Sequence, residues 1–141
     1  MSYDLLVIGG GPAGLTAGIY AGRYGLNVAV IDRGMCGGLL LEAPMIENYP
    51  GIKQLPGLEL AERMKTHAAQ YAELIEGEEV EGIEKSEDFV VSGSKTYRAK
   101  AIIIATGATH RKLGVKGEDN LRGRGVSYCA VCDGYFSRGK K

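Results

Sequence analysis

The sequence predicts an α/β fold built on a parallel sheet, because two short apolar segments flank a helical segment near the N-terminus. Residues 4–8 (DLLVI) and 28–32 (VAVID) predict two strands, and residues 12–24 predict the helix between them. Strands that are apolar along their whole length are typical of parallel sheets covered on both faces. Short alternating segments within 79–98 add a small antiparallel β-meander to the predicted fold.

The rest of the chain predicts a long loop, a second helix and further strands. Residues 33–57 are rich in glycine and proline, which indicates a loop with one helical turn near 38–42. Residues 58–75 carry apolar side chains at three- and four-residue spacing, which predicts an amphipathic helix. The remaining predicted elements are strands at 79–84, 89–92, 95–98 and 101–106, and a linker at 108–127.

Composition excludes several function classes. The 141 residues contain 17 Lys and Arg against 17 Asp and Glu, so the formal net charge is zero. Binding to nucleic acid or to an anionic membrane is not expected, because either partner favours a basic surface. No apolar run approaches the ~18 residues of a membrane span, and the N-terminus lacks the layout of a signal peptide. The sequence therefore predicts a cytoplasmic protein.

The first motif with chemical meaning is Gly9-x-Gly11-x-x-Gly14, which lies between the first strand and the first helix. Such glycines permit a tight turn, close approach of the backbone to a pyrophosphate, and close packing of the helix on the strand. The N-terminus of the helix, at Pro12, adds free N–H groups and partial positive charge. Asp32 ends the second strand, where a carboxylate can bind a ribose 2′-hydroxyl. The pattern predicts a dinucleotide site that favours NAD or FAD over NADP.

The second motif is Cys129-Ala130-Val131-Cys132-Asp133, which allows three interpretations. A zinc site needs two more ligands, and neither Cys36 nor the two histidines stands in a second ligand spacing. A structural disulfide is not expected in the reducing cytosol. A redox-active dithiol is the third interpretation, in which Asp133 moves protons during thiol chemistry. We assign no metal site.

The third motif is the strand end Ala105-Thr106-Gly107, where a small residue lets the backbone approach a ligand at the sheet's carboxyl edge. Together with the first two motifs, it gives the chain a close resemblance to the N-terminal part of bacterial/archaeal-type (low molecular weight) thioredoxin reductases. The resemblance covers essentially all 141 residues. The matching segments are residues 9–14, 37–38, 47–51, 105–108 and 127–134.

The resemblance implies a Rossmann-like FAD-binding domain and a cycle in which electrons pass from NADPH through FAD and the Cys129–Cys132 pair to thioredoxin. Cys129 is expected to attack the thioredoxin disulfide, Cys132 to face the flavin and Asp133 to act as acid/base. A homodimer is also expected. The FAD contacts that the resemblance and the motifs predict are Gly9, Gly11, Pro12, Ala13, Gly14, Asp32, Arg33, Gly34, Met35, Cys36, Gly37, Gly38, Leu39, Asn48, Val80, Ala105, Thr106 and Gly107.

Two departures from the family pattern qualify these expectations. Leu39 stands where the family usually has Gln, so one side-chain hydrogen bond to FAD is missing or supplied elsewhere. Family members are also about twice as long, which corresponds to two domains. We predict that residues 1–114 belong to the FAD domain and that 115–141 are the linker and the start of an NADPH-type domain that continues after Lys141. The alternatives are the flavoprotein subunit of a peroxide-reducing system and a non-catalytic FAD-binding fragment.

Overall fold

A computed structural model describes residues 1–122, 124–129 and 139 of the chain. The chain forms two compact units, Met1–Gly107 and Ala108–Lys141. The first unit contains a six-stranded sheet and two α-helices. The described part of the second unit contains one short helix, α3, at Glu118–Leu121. A domain boundary after residue 114 stays a prediction.

The sheet of the first unit is parallel in one half and antiparallel in the other. Its strands lie in the order β3-β2-β1-β6-β5-β4. The central strand β1 pairs in parallel with β2 and β6, and β2 pairs in parallel with β3. The strands β4, β5 and β6 pair antiparallel. The bounds are β1 Ser2–Ile8, β2 Val28–Asp32, β3 Glu73–Glu76, β4 Gly82–Lys85, β5 Phe89–Ser92 and β6 Thr96–Ile104. The predicted α/β fold with a parallel sheet and a β-meander is confirmed.

The two α-helices of this unit are α1 (Pro12–Arg23) and α2 (Gly57–Ala68), and a 3₁₀ helix occupies Gly38–Glu42. The first unit follows the predicted β-α-β order at its start, with β2 at the predicted bounds. Leu6 and Val7 of β1 are both fully buried. They belong to different apolar clusters, one with Ile31 and Tyr97 and the other with Val30. Burial of both sets of side chains explains why these strands are apolar without alternation.

The predicted helix at 58–75 is wrong in its C-terminal part. Helix α2 ends at Ala68, and a turn leads into β3, which pairs in parallel with β2 through contacts such as Leu74 with Val30. A four-residue strand is too short for its alternation to show in the sequence. Ala72 and Ile75 continued the helical spacing by coincidence, and pairing with β2 decided the structure of this segment.

Two predicted strand assignments also need correction. The strand predicted at 79–84 forms only at 82–85, and the strands predicted at 95–98 and 101–106 are one continuous strand, β6. Its first half pairs antiparallel with β5, and nearly its whole length pairs in parallel with β1, so its neighbours keep it extended. The helical turn predicted near 38–42 is confirmed. The linker predicted at 108–127 contains α3.

Candidate nucleotide-binding site

The carboxyl ends of the parallel strands gather most of the predicted binding residues. Gly9 follows β1, Asp32 ends β2 and Ala105 follows β6. The chain leaves β1 through α1 toward β2 on one side, while β6 lies on the other side. Ligands of open α/β sheets bind outside the carboxyl ends of the strands at such a reversal of strand order.

Two glycines make the turn after β1 possible. Gly9 has a φ of +106°, and a Cβ added there would lie 2.3 Å from the carbonyl oxygen of Ala105. A Cβ added at Gly14 would lie 1.8 Å from the carbonyl oxygen of Gly9. Any side chain at either position would therefore push α1 or β6 away from β1, since backbone atoms cannot move aside cheaply.

Gly11 has a different surrounding from its two neighbours in the motif. A Cβ added there would meet only the Cα of Gly38, at 3.9 Å, and its backbone φ of −70° suits any residue. The folded protein alone therefore does not require glycine at this position. The space beside Gly11 instead fits a group that approaches the backbone from outside, as a pyrophosphate does in this class of turn.

The N-terminus of α1 is open toward this space. Gly11 is the N-cap residue and supplies no side-chain hydrogen bond to the first turn, while Pro12 and Ala13 are exposed. Free N–H groups and the helix dipole at such an end favour an anion. Gly38, with a φ of +55°, closes the other side, because a Cβ added there would lie 3.0 Å from the Cα of Gly11. The two glycine backbones therefore pack against each other, and the open space lies on the outer side of Gly11.

Asp32 is held in place by two backbone groups. Its Oδ2 accepts a hydrogen bond from the N–H of Gly10 at 2.7 Å, and its Oδ1 accepts one from the N–H of Gly34 at 2.8 Å. Each carboxylate oxygen can accept a further hydrogen bond. The half-buried carboxylate is thus oriented at the end of β2, with capacity left for hydroxyl groups such as those of a ribose.

The loop from 33 to 39 exposes most of its predicted contact residues. Arg33, Gly34 and Met35 are exposed, as is Leu39, which is 51% exposed. Cys36 and Gly37 are the exceptions, since both are buried. The side chain of Cys36 is fully buried and packs with apolar side chains that include Leu15. Burial raises the pKa of the Cys36 thiol to about 12. The N–H of Cys36 is also engaged, because it donates a hydrogen bond to Glu76.

The other predicted contacts lie in different surroundings. Asn48 is exposed, whereas Val80 is half-buried and packs against the apolar cluster that contains Tyr97. Thr106 and Gly107 are exposed after β6, and Ala105 donates its N–H to the carbonyl of Ile8 at 2.7 Å. The structure therefore brings Ala105 next to the glycine turn, and it places Val80 in a hydrophobic cluster.

Glu76 is a residue at this edge that the sequence analysis missed. It ends β3, and its Oε1 accepts a hydrogen bond from the N–H of Cys36 at 2.6 Å. Its Oε2 forms an ion pair with Nζ of Lys65 at 2.9 Å. The hydrogen bond with Lys65 lowers the pKa of Glu76 and raises that of Lys65. Assigning 73–76 as a strand would have shown an acid at its carboxyl end, as in β2.

The predicted redox pair lies in the second unit and is only partly described. Cys129 is half-buried; its N–H donates to Oγ of Ser127 at 3.1 Å, and the Ser127 hydroxyl donates to the Cys129 carbonyl at 3.2 Å. The neighbouring Tyr128 donates a hydrogen bond to the carboxylate of Glu118. Cys132 and Asp133 lie outside the described residues, so their predicted roles stay predictions.

Neither a group of three potential metal ligands nor a membrane-spanning helix occurs among the described residues. No three of their His, Cys, Asp and Glu side chains are grouped so that they could hold a metal ion. None of the helices among 1–122, 124–129 and 139 combines the length and the apolar character needed to cross a bilayer.

Comparison with known proteins identifies relatives along the whole chain. A family model described as pyridine nucleotide-disulphide oxidoreductase matches residues 3–141. A thioredoxin reductase of Listeria innocua is 50% identical over 141 residues, which are 99% of this chain and 44% of the relative. One of Bacillus subtilis is 49% identical over 99% of this chain and 45% of the relative. The chain thus spans less than half the length of these relatives.

A solved structure shows the same relationship in three dimensions. The thioredoxin reductase of Streptococcus pyogenes superposes with a TM-score of 0.85 at 47% identity, covering 96% of this chain and 45% of that one. The resemblance found in the sequence is confirmed, and with it the Rossmann-like fold.

Proposed function

This chain belongs to the pyridine nucleotide-disulphide oxidoreductase family, and we propose that it is the FAD-binding part of a thioredoxin reductase. Membership in the family implies a flavin cofactor, and the proposal specifies FAD. The observation that supports it is the geometry at the carboxyl edge of the sheet. There the open N-terminus of α1, the open space beside Gly11, and the carboxylate of Asp32 lie close to one another.

In this proposal each part of FAD binds to a matching feature of the chain. The pyrophosphate lies at the N-terminus of α1, where N–H groups and the helix dipole offset its charge. Asp32 accepts hydrogen bonds from the adenosine ribose. Its charge would repel a ribose 2′-phosphate, so NADPH needs a separate site, which the proposal places in an NADPH-type domain. The segments around Asn48, Val80 and 105–107 complete the FAD contacts.

When bound, FAD supplies two-electron transfer between a nicotinamide and a disulfide. The chain's own part in this reaction is to hold the flavin and to present Cys129 and Cys132. Cys129 exchanges with the disulfide of thioredoxin, Cys132 resolves the mixed disulfide, and Asp133 moves the proton. The proposal also includes a homodimer and a cytoplasmic location.

The space beside Gly11 gives a direct test of the FAD site. Gly11→Ala should leave the fold intact, because its Cβ meets no atom closer than 3.9 Å, yet it should weaken FAD binding about tenfold or more by obstructing the pyrophosphate. Flavin fluorescence titration would give the affinity, and circular dichroism the fold. Tyr20→Phe, at an exposed position of the same helix, is the control. Equal affinities of Gly11→Ala and the unaltered protein would contradict the assignment.

The activity requires a second measurement. A protein that binds FAD and reduces thioredoxin with NADPH supports the full proposal. FAD binding without dithiol exchange at Cys129 would instead indicate the non-catalytic FAD-binding fragment. Reduction of peroxide through a partner protein, with no thioredoxin turnover, would indicate the peroxide-reducing system.

A further inference from the structure

We propose that Glu76 is a positioning residue for FAD, which holds the backbone of the loop 33–39 at the distance from the glycine turn that the pyrophosphate requires. The inference rests on the proposed FAD site. Glu76 belongs to none of the sequence motifs. It would add a determinant of FAD affinity on β3, the edge strand of the parallel half of the sheet.

The carboxylate of Glu76 joins three separate parts of the first unit. One oxygen accepts the N–H of Cys36 at 2.6 Å, and the other pairs with Nζ of Lys65 at 2.9 Å. Glu76 belongs to β3, Lys65 to α2 and Cys36 to the loop 33–39. A hydrogen bond to an ionised acceptor is about twice as strong as one between neutral groups. The hydrogen bond with Lys65 lowers the pKa of Glu76 below its ordinary value, so the charged form of the carboxylate is favoured.

The loop is held at two successive N–H groups. The N–H of Cys36 donates to Glu76, and the N–H of Gly37 donates to the carbonyl of Gly10 at 2.8 Å. The buried side chain of Cys36 lies under the glycine turn, since a Cβ added at Gly10 would be 2.5 Å from its Sγ. The next residue, Gly38, faces Gly11. A shift at Cys36 is therefore transmitted within two residues to one wall of the predicted pyrophosphate site.

A purely structural ion pair is the competing explanation. In that case Glu76 only stabilises the attachment of β3 to α2, and its removal lowers the melting temperature without altering FAD affinity in protein that remains folded. A positioning role predicts a change in affinity at temperatures well below the melting point of each variant. FAD titration and thermal unfolding of the FAD-free protein distinguish the two explanations.

Three substitutions at one position test the proposal. Glu76→Ala removes the acceptor and should raise the Kd for FAD about tenfold or more. Glu76→Asp keeps the charge but is one methylene shorter, so it cannot reach Cys36 and Lys65 together and should raise the Kd several-fold. Glu76→Gln keeps an acceptor for the N–H of Cys36 and should bind FAD more tightly than Glu76→Ala. Glu59→Ala, which breaks the exposed Glu59–Arg63 pair on α2, the helix that carries Lys65, should leave the Kd unchanged.

Unchanged FAD affinity in a folded Glu76→Asp variant would overturn the positioning role. This test remains available even if Glu76→Ala does not fold. Equal weakening by the Gln and Ala variants would overturn it as well, because the retained acceptor would then have no effect. If the unaltered protein binds no FAD, the proposed function itself has failed, and that outcome is visible before any variant is compared.

Discussion

Two buried acids, one in each unit, show how differently the two parts of the chain are held together. Glu78 and Glu118 are 5% and 4% exposed, and each accepts hydrogen bonds from backbone N–H and from a hydroxyl. Glu78 binds Lys95 N–H at 3.1 Å and the Ser94 hydroxyl, 17 and 16 residues away. Glu118 binds the N–H groups of Leu113 and Gly114 at 2.8 and 2.6 Å, five and four residues away, and the Tyr128 hydroxyl.

The difference lies in what each carboxylate connects. Glu78 connects the segment after β3 to the turn between β5 and β6, so it links two parts of the sheet that are distant in sequence. Its own N–H donates to the carbonyl of Asp32 at 3.0 Å, which extends the link to the end of β2. Glu118 organises a local turn beside α3. Loss of the long-range link should therefore disturb more of its unit than loss of the local one.

The largest effect is expected from a core substitution in the first unit. Leu6→Ala should lower the free energy of unfolding of that unit by about 2–5 kcal/mol, because it leaves a cavity at a fully buried position of the central strand. Hydrogen exchange and denaturant titration would measure the loss in each unit. Leu58→Ala, at an exposed leucine of α2, is the control. A similar loss of protection at 113–122 would show that the two units unfold together.

The next effect directly compares the two acids. Glu78→Gln should lower the melting temperature of the first unit by several degrees and increase amide hydrogen exchange at residues 78 and 95. Both oxygens of Glu78 accept hydrogen bonds, whereas a glutamine amide has one oxygen and an NH₂ group that cannot accept. Glu118→Gln should increase exchange only near Leu113 and Gly114. If Glu78→Gln did not increase hydrogen exchange beyond its immediate neighbours, the long-range role of Glu78 would be contradicted.

Both acids should make stability depend on pH in the same direction. Hydrogen bonds from Ser94 and Lys95 lower the pKa of Glu78 below its ordinary 4.5, and those from Tyr128 and Leu113 lower the pKa of Glu118. The charged form is thus favoured on folding, so each contribution is complete above about pH 4.5 and is lost as pH falls through the folded pKa. Unfolding curves from pH 7 to pH 2 would measure this, and Glu78→Gln should flatten the profile of the first unit. A stability that rises on acidification would contradict the sign.

The smallest effect is expected at an exposed ion pair. Arg63 and Glu59 are four residues apart on α2 at 2.6 Å, with side chains 61% and 49% exposed. Such pairs stabilise a helix by about 0.3–0.5 kcal/mol. Arg63→Met should therefore lower the melting temperature by a barely measurable amount, and by even less in high salt. A loss comparable to that of Glu78→Gln would mean that surface charge matters as much as buried hydrogen bonding.

Much of the backbone geometry of the candidate nucleotide-binding site was predictable from the sequence, because its signals are local. The strand, the glycine turn, the helix and Asp32 follow one another within about 30 residues, and each reflects a backbone requirement. Gly9 and Gly14 occupy positions where a side chain would collide with backbone, so their residue type is dictated by contacts that recur in this turn. The burial of Cys36 was not predictable, because a thiol in a glycine-rich loop carries no periodic signal.

The sequence by itself determined the order β1-α1-β2, the glycine turn and the acid at the end of β2, because short-range geometry and continuous apolar strands specify them. Tertiary structure decided that 73–76 forms a strand, that β6 is continuous, and that Glu76 and Glu78 bind partners 40 and 17 residues away. These features depend on neighbours that the fold brings together. A short strand or a single acid carries little information about such partners until the sheet has formed.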